Sequence, residues 1–273
     1  MGATRAALDP DGQAALTCYT KWCPQAKSYT EAEVAADVQR SLSRMQTPCL
    51  DLLQLHWWDY AARGELEGVL RSLVALQQRG RLRELGLTNF DTAHVVWMVD
   101  ELKIPIASNQ VQYSLVDTRP RDRMAAACQA RGVKLLCYGT LLGGLLTDRY
   151  LGKAEPQGRA ELSTPSLGKY YNMVRHWGGW GLFQELLRAC RSVADRHGAS
   201  IATVALAWVL RQEAVAGVIV GLRAGLSEHA AENRAACALS EKLTPADLAE
   251  IAAVQAKGRD LLGHIGDCGD EYR

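Results

Sequence analysis

The chain has 273 residues, 48% of them hydrophobic and 22% charged, an ordinary balance for one large globular domain or two small ones. Its 31 basic and 30 acidic side chains leave a formal charge of +1, scattered without a basic stripe, which disfavours a nucleic-acid partner. The eight cysteines, Cys18, Cys23, Cys49, Cys128, Cys137, Cys190, Cys237 and Cys268, form no CxxC pair and stand at no metal-ligand spacing with histidine. They read as buried thiols of a reducing compartment, with no metal site. No apolar run approaches the ~18 residues of a membrane span. The first residues lack a signal-peptide core, so a cytoplasmic protein is expected.

Along the chain, the first fourteen residues show no clear element. Ala15 to Lys21 reads as a short strand ending in lysine. Thr30 and Glu33 then make a capping box for a helix whose apolar stripe is Val34, Val38, Leu42 and Met45. Leu50 to His56 is an apolar run without a polar face, the pattern of a strand buried on both sides in a parallel sheet. A second helix puts Leu66, Val69, Leu70, Leu73 and Leu76 on one face and stops at Gly80. Strands are expected at 83–89, 107–114, 133–139 and 214–222, with helices at 92–102 and 119–131 between the first of them. Thr140 to about Gly181 is rich in Gly, Ser, Pro and Tyr and is expected to be a long lid or binding segment. Helices follow at 182–197 and 201–211, then from Ser227 to about Cys237, and at 244–255, where Thr244 caps and Pro245 opens. Residues 15–257 make the expected domain and 258–273 a loose tail.

Six alternating strand–helix units mean an α/β fold on a parallel sheet. No GxGxxG or GxxxxGK[ST] follows any strand, so neither dinucleotide nor P-loop fingerprints support an open doubly wound sheet. Polar residues instead recur at the strands' C-terminal ends: Lys21, His56, Thr88 with Asn89, Asn109 with Gln110, Tyr138, and Gly221 with Arg223. That is the pattern of a TIM-type (β/α)8 barrel, whose sites draw on many strand ends. Six units rather than eight make the expectation a barrel truncated at its N-terminus by roughly 60 residues. His56 beside Trp57 and Trp58 reads either as a core histidine or as the floor of a small-molecule pocket.

At these residues the chain resembles the aldo/keto reductase family, through TKW, LDLLQLHW, GRLRELGLTNF, SNQVQYSLVD, GVKLLCYG followed by LLGGLLT, SIATVALAWVL and VIVGLRAGLSEHAAEN. The resemblance runs from about Ala15 to about Gln255. It implies an α/β barrel that uses NADPH to reduce carbonyl groups of small molecules. Lys21 and His56 match the lysine and histidine of the family's catalytic tetrad. The tetrad's Asp and Tyr belong to units this chain does not show. By the same resemblance Thr88, Asn89 and Gln110 hold the nicotinamide carboxamide, and Tyr138 stacks on its ring. Gly139, Leu141, Gly143 and Gly144 would approach the pyrophosphate. Gly221, Arg223, Ser227 and His229 correspond to the adenosine-phosphate region, and Glu232 and Asn233 to adenine contacts. Arg223 offers a planar fork suited to a 2′-phosphate, and a helix starting at Ser227 adds a positive end. Trp57, Trp58 and Tyr60, with Trp177 and Trp180, are expected to line the substrate pocket.

In the family reaction hydride reaches the carbonyl carbon while the tyrosine protonates the oxygen. Its pKa, near ~10 in isolation, must be lowered by the lysine. Tyr19, two residues before Lys21, is the nearest stand-in in sequence and is expected one layer deeper. Without the tetrad's Asp and Tyr this stretch of chain is expected to be impaired, and three functional readings stay open, one of them a fragment with no function of its own. Another is a carbonyl reductase whose complete chain is longer than this. The third is a non-catalytic NADPH-binding or partner-docking protein, resembling the reductase-like subunit of potassium channels.

Overall fold

The computed structural model describes residues 2–158, 161–221 and 228–272. Its contacts divide the chain into two compact units: Met1–Gln110 with Ala127–Lys134 and Cys268–Arg273, and Val111–Ala126 with Leu135–Asp267. Six strands are present among the described residues: β1 Tyr19–Trp22, β2 Leu50–His56, β3 Leu82–Thr88, β4 Ile106–Gln112, β5 Lys134–Tyr138 and β6 Val215–Val218. They lie in the sheet in chain order and their registered pairs are parallel. Among the described residues the sheet does not close.

In the first unit, short helices α1 Gly2–Ala6 and α2 Pro10–Ala15 occupy the stretch expected to be featureless. Asp9 caps α2 by accepting the Gly12 N–H, and Pro10 supplies its first position, so the helix takes over Ala15 and β1 starts only at Tyr19. Helix α3, Glu31–Met45, opens on the Thr30–Glu33 capping box and buries the four expected residues. Helix α4, Arg63–Gln78, packs on β3 and buries its leucine stripe, each fully buried leucine contributing ~1.5–3 kcal/mol. Helix α5, Thr92–Val96, passes into a wider π turn over Trp97–Glu101.

The strand register of this unit builds a polar face. Lys21 pairs with Gln54, Gln54 with Gly86, and Gly86 with Ser108; one step on, His56 pairs with Thr88 and Thr88 with Gln110. A register shift between Leu85 and Gly86 skips Ala107 and so keeps Ser108 and Gln110 on this face. Leu53, Leu55, Leu85 and Leu87 take the alternate positions and are fully buried.

The expected helix over 119–131 breaks at Arg123 into α6 Arg119–Asp122 and α7 Met124–Ala130. In the second unit, the expected lid segment contains α8, Pro165–Trp177. The Thr164 hydroxyl accepts the Leu167 N–H and Pro165 stands at the first turn, the same signal that opens the helix after Thr244. Helix α9 then runs Gly179–His197, α10 Ile201–Leu210, α11 Ala230–Ser240 and α12 Pro245–Gln255. The tail is not loose: α13, Leu261–Ile265, follows, and the buried Arg119 guanidinium donates to the carbonyls of Gly266 (3.3 Å) and Asp267 (3.0 Å). Arg119 is itself held by both carboxylate oxygens of Asp117 at 2.9 Å. No helix among the described residues is long and apolar enough to cross a membrane.

Candidate functional site

Unit one brings Lys21 and His56 onto the polar face of its strands. The Lys21 ammonium donates to Gln110 Oε1 at 2.9 Å, and Gln110 Nε2 donates to Gln54 Oε1 at 2.8 Å. Gly86 lets this row lie flat: a Cβ there would come within 2.7 Å of Ser108 Oγ and 3.1 Å of Leu52 Cδ1. Partial burial pushes the Lys21 pKa down, and the neighbouring Cys23 acts in the opposite direction. Among the described residues Lys21 has no carboxylate within ion-pair distance. His56 is buried, and its ring lies 4.2 Å from that of Trp58, tilted by 33°. Trp58 is 43% exposed, its indole N–H donates to Cys23 Sγ at 2.7 Å, and its ring meets Tyr272 edge-on.

The nicotinamide-side residues of the sequence reading are ordered but partly engaged. Gln110 is committed to Lys21 and Gln54. Asn89 sits at φ 57°, a left-handed turn that asparagine tolerates, and its N–H donates to the Gln110 carbonyl at 2.8 Å. Asn109 was grouped with Gln110 at the strand end; its side-chain amide instead donates to the Phe90 carbonyl (2.9 Å) and accepts the Phe90 N–H (3.4 Å), fixing the turn from the opposite side. The Thr88 and Ser108 hydroxyls are buried without a hydrogen-bond partner among the described residues.

Several expected pocket walls are structural instead. Trp57 is fully buried, with its N–H on the Asp59 carbonyl at 2.6 Å. It follows His56, the last residue of β2. Tyr60 accepts the Asp91 N–H at 3.1 Å and stacks on His94 at 3.6 Å, holding the start of α5. Trp58 alone of the three lies beside His56. Tyr19 is 54% exposed rather than a deeper layer, so it offers no buried proton donor. Five cysteines are buried, as expected of reduced core thiols, but Cys49 is only partly covered and Cys23 and Cys237 are exposed.

Unit two contains a cavity of about 690 Å³ whose lining includes Gly139, Leu141, Gly143, Gly144, Gly221, His229, Glu232 and Asn233. A larger depression of about 790 Å³ around Lys169, Tyr171 and Arg175 shares only Thr164 with it and holds none of the residues singled out from sequence. The glycines differ in what they do. Gly139, at φ 69°, would put a Cβ 2.6 Å from Tyr170 Oη, and Gly143, at φ 66°, one 3.0 Å from the Tyr170 ring; both make room for the α8 tyrosine. Gly144 and Gly221 face open space, although the Gly144 N–H is already used by the Leu141 carbonyl at 2.9 Å.

Both acids in the lining have partners within the fold, Asp148 a charged one and Glu232 hydrogen-bonding ones. Asp148 accepts from Arg191 (2.5 Å) and the Ile201 N–H (3.1 Å), and Glu232 bonds the Ser200 hydroxyl and His229 Nδ1. Arg149, which sequence reading passed over, adds a positive charge to the wall. Tyr138 is not part of the lining; Lys169 lies over its ring at 5.6 Å. Trp177 and Trp180 are core residues, the latter donating to the Lys153 carbonyl at 2.9 Å. Helix α11 begins at Ala230, not at Ser227. Arg223 and Ser227 themselves lie outside the described residues.

A sequence model of the Aldo/keto reductase family matches residues 4–256. Protein tas of Escherichia coli K12 is 32% identical over 200 residues, which cover 66% of this chain and 56% of that protein. The human aflatoxin B1 aldehyde reductase member 4 is 29% identical over 213 residues, 69% of this chain and 60% of that one. The crystal structure of the thermostable aldo-keto reductase Tm1743 with the inhibitor epalrestat superposes with a TM-score of 0.68 at 23% identity, over 93% of this chain and 75% of that one. The chain spans about half the length of the curated relatives it matches. With an α/β fold of parallel strands and a family match over nearly its whole length, this chain belongs to the aldo/keto reductase family.

Proposed function

We propose that the chain serves an NADPH-dependent reduction of small aldehydes and ketones, in a cytoplasmic setting that suits its eight cysteines, none of them in a CxxC pair. The observation that carries this reading is the cavity of the second unit. It gathers eight residues that the resemblance assigns to the phosphate and adenosine ends of the cofactor, leaves Gly144 and Gly221 clear among the described residues, offsets Asp148 with Arg191 and adds the charge of Arg149. Those features suit a polyanion. The preference for NADPH over NADH rests on Arg223.

The bound cofactor would supply hydride; orientation and charge fall to the protein. His56 would donate to the carbonyl oxygen and polarise it, while the Lys21 ammonium stabilises negative charge growing there. The partnerless Thr88 hydroxyl, beside Asn89, supplies the hydrogen-bonding capacity that a carboxamide needs. The test is steady-state oxidation of NADPH, and of NADH, with a panel of aldehydes and ketones, comparing the wild-type chain with His56→Asn. Turnover that falls at least ~tenfold in the variant, with NADPH affinity unchanged, is expected. Equal rates in both proteins would overturn the assignment of His56.

One observation favours a second reading, cofactor binding without turnover. Lys21 is bonded to an amide, and among the described residues no phenol or carboxylate meets it. Saturable NADPH binding with no carbonyl reduction across the panel would select it.

A further inference from the structure

Lys21 is neither locked in an ion pair nor lost in the core. Its one hydrogen-bond partner among the described residues is the Gln110 amide oxygen, and the residue remains exposed. His56 stands two positions beyond Gln54, the residue paired with Lys21, on the same face. The exposed Trp58 indole lies over His56 and reaches the thiol of Cys23, making a flat apolar shelf at this strand end. On the same face of β3 and β4, Thr88 and Ser108 keep buried hydroxyls without partners among the described residues, at 1% and 5% exposure. Such orphaned groups cost free energy unless a ligand or water meets them. An amine held only by an amide can give up its proton without breaking a salt bridge, and the burial that lowers its pKa enlarges the reactive fraction.

We infer that Lys21 captures aromatic aldehydes covalently as a reversible imine. The neutral amine attacks the carbonyl carbon, and a proton passes from nitrogen to oxygen to give a carbinolamine. Nitrogen then expels the hydroxyl, which leaves as water with a proton supplied from the His56 side; the iminium returns its N–H proton to solvent or His56. Nothing is oxidised or reduced. The Trp58 shelf selects a flat ring over an aliphatic chain. The inference rests on the carbonyl-handling reading of these strand ends but not on cofactor binding.

The experiment treats the full 273-residue chain with benzaldehyde and sodium cyanoborohydride near neutral pH, without cofactor, and maps benzylated peptides over time. Lys27, Lys103 and Lys242 serve as internal references. Faster labelling of Lys21 than of every reference is expected, because the burial that lowers its pKa leaves more of the amine neutral. Trp58→Ala reduces that advantage for benzaldehyde and leaves it intact for acetaldehyde. Uniform labelling, or faster labelling of the references, overturns the inference and needs no folded variant to decide. NADPH binding is measured on the same preparation. Selective Lys21 labelling without NADPH binding removes only the reductase reading, and binding without selective labelling removes only this one.

Discussion

The strand ends of the first unit and the cavity of the second are built on opposite plans. In the first, the ammonium and amide side chains satisfy one another while the Thr88 and Ser108 hydroxyls find no partner among the described residues: Lys21 bonds Gln110, Gln110 bonds Gln54, and Asn109 clamps Phe90. In the second, polar groups are pulled back into the walls, Asp148 to Arg191 and Glu232 to Ser200, and open space is left between them. On the proposed assignments, binding and chemistry would meet different energetic demands. A ligand entering the cavity displaces water, whereas a carbonyl approaching Lys21 must compete with an existing hydrogen bond worth about 1.5–3 kcal/mol, as it involves a charged donor.

The largest expected effect is on the scaffold of the second unit. Asp117→Ala leaves the Arg119 guanidinium buried without its carboxylate, and a loss of ~3–5 kcal/mol in urea unfolding is expected. A loss below ~1 kcal/mol would show that the Gly266 and Asp267 carbonyls suffice. Gly139→Ala comes next: positive φ and the close Tyr170 hydroxyl should destabilise by ~1–3 kcal/mol in thermal melts. If NADPH affinity falls while stability holds, Gly139 acts on the ligand rather than on Tyr170.

A pH experiment sharpens the contrast further. Burial alone would raise the Asp247 pKa, but hydrogen bonds from His197, Thr244 and Arg196 outweigh it and hold the carboxyl well below its usual range. A depressed folded pKa gives stability that is full above the unfolded value near ~3.9 and lost as pH falls below it. The stability gap between wild type and Asp247→Asn should therefore be flat from neutrality to about pH 5 and shrink below about pH 4. A gap independent of pH would dismiss the charge as its origin. The smallest effect is expected at Thr88→Val, which removes an orphan hydroxyl: stability within ~1 kcal/mol of wild type and if anything higher, with weaker NADPH binding. Destabilisation beyond that would mean the hydroxyl has a structural partner.

Local signals in the sequence carried the scaffold well. The Thr30–Glu33 box and the β2 leucines lie where their spacing put them, because capping and burial on both faces are short-range patterns. Helix α8 was hidden by surrounding glycines, although Leu167, Tyr170, Val174 and Trp177 bury at helical spacing and Thr164-Pro165 marks the start. The Lys21–Gln110 bond was not legible: it joins residues 89 apart, and depends on a strand register and on the shift past Ala107 that no local pattern encodes. The same holds for Tyr60 on Asp91, a contact across 31 residues.

The measurement that bears most directly on the central claim is equilibrium titration of the chain with NADPH, read by tryptophan quenching, alongside Gly221→Trp. A Cβ at Gly221 meets nothing within 4 Å among the described residues, so the added side chain occupies the cavity it lines. Saturable binding by the wild-type chain, lost in the variant while its circular dichroism stays unchanged, is the predicted result. Equal affinity in both proteins, or no binding by a well-folded wild-type chain, would contradict the assignment of the cavity to the cofactor.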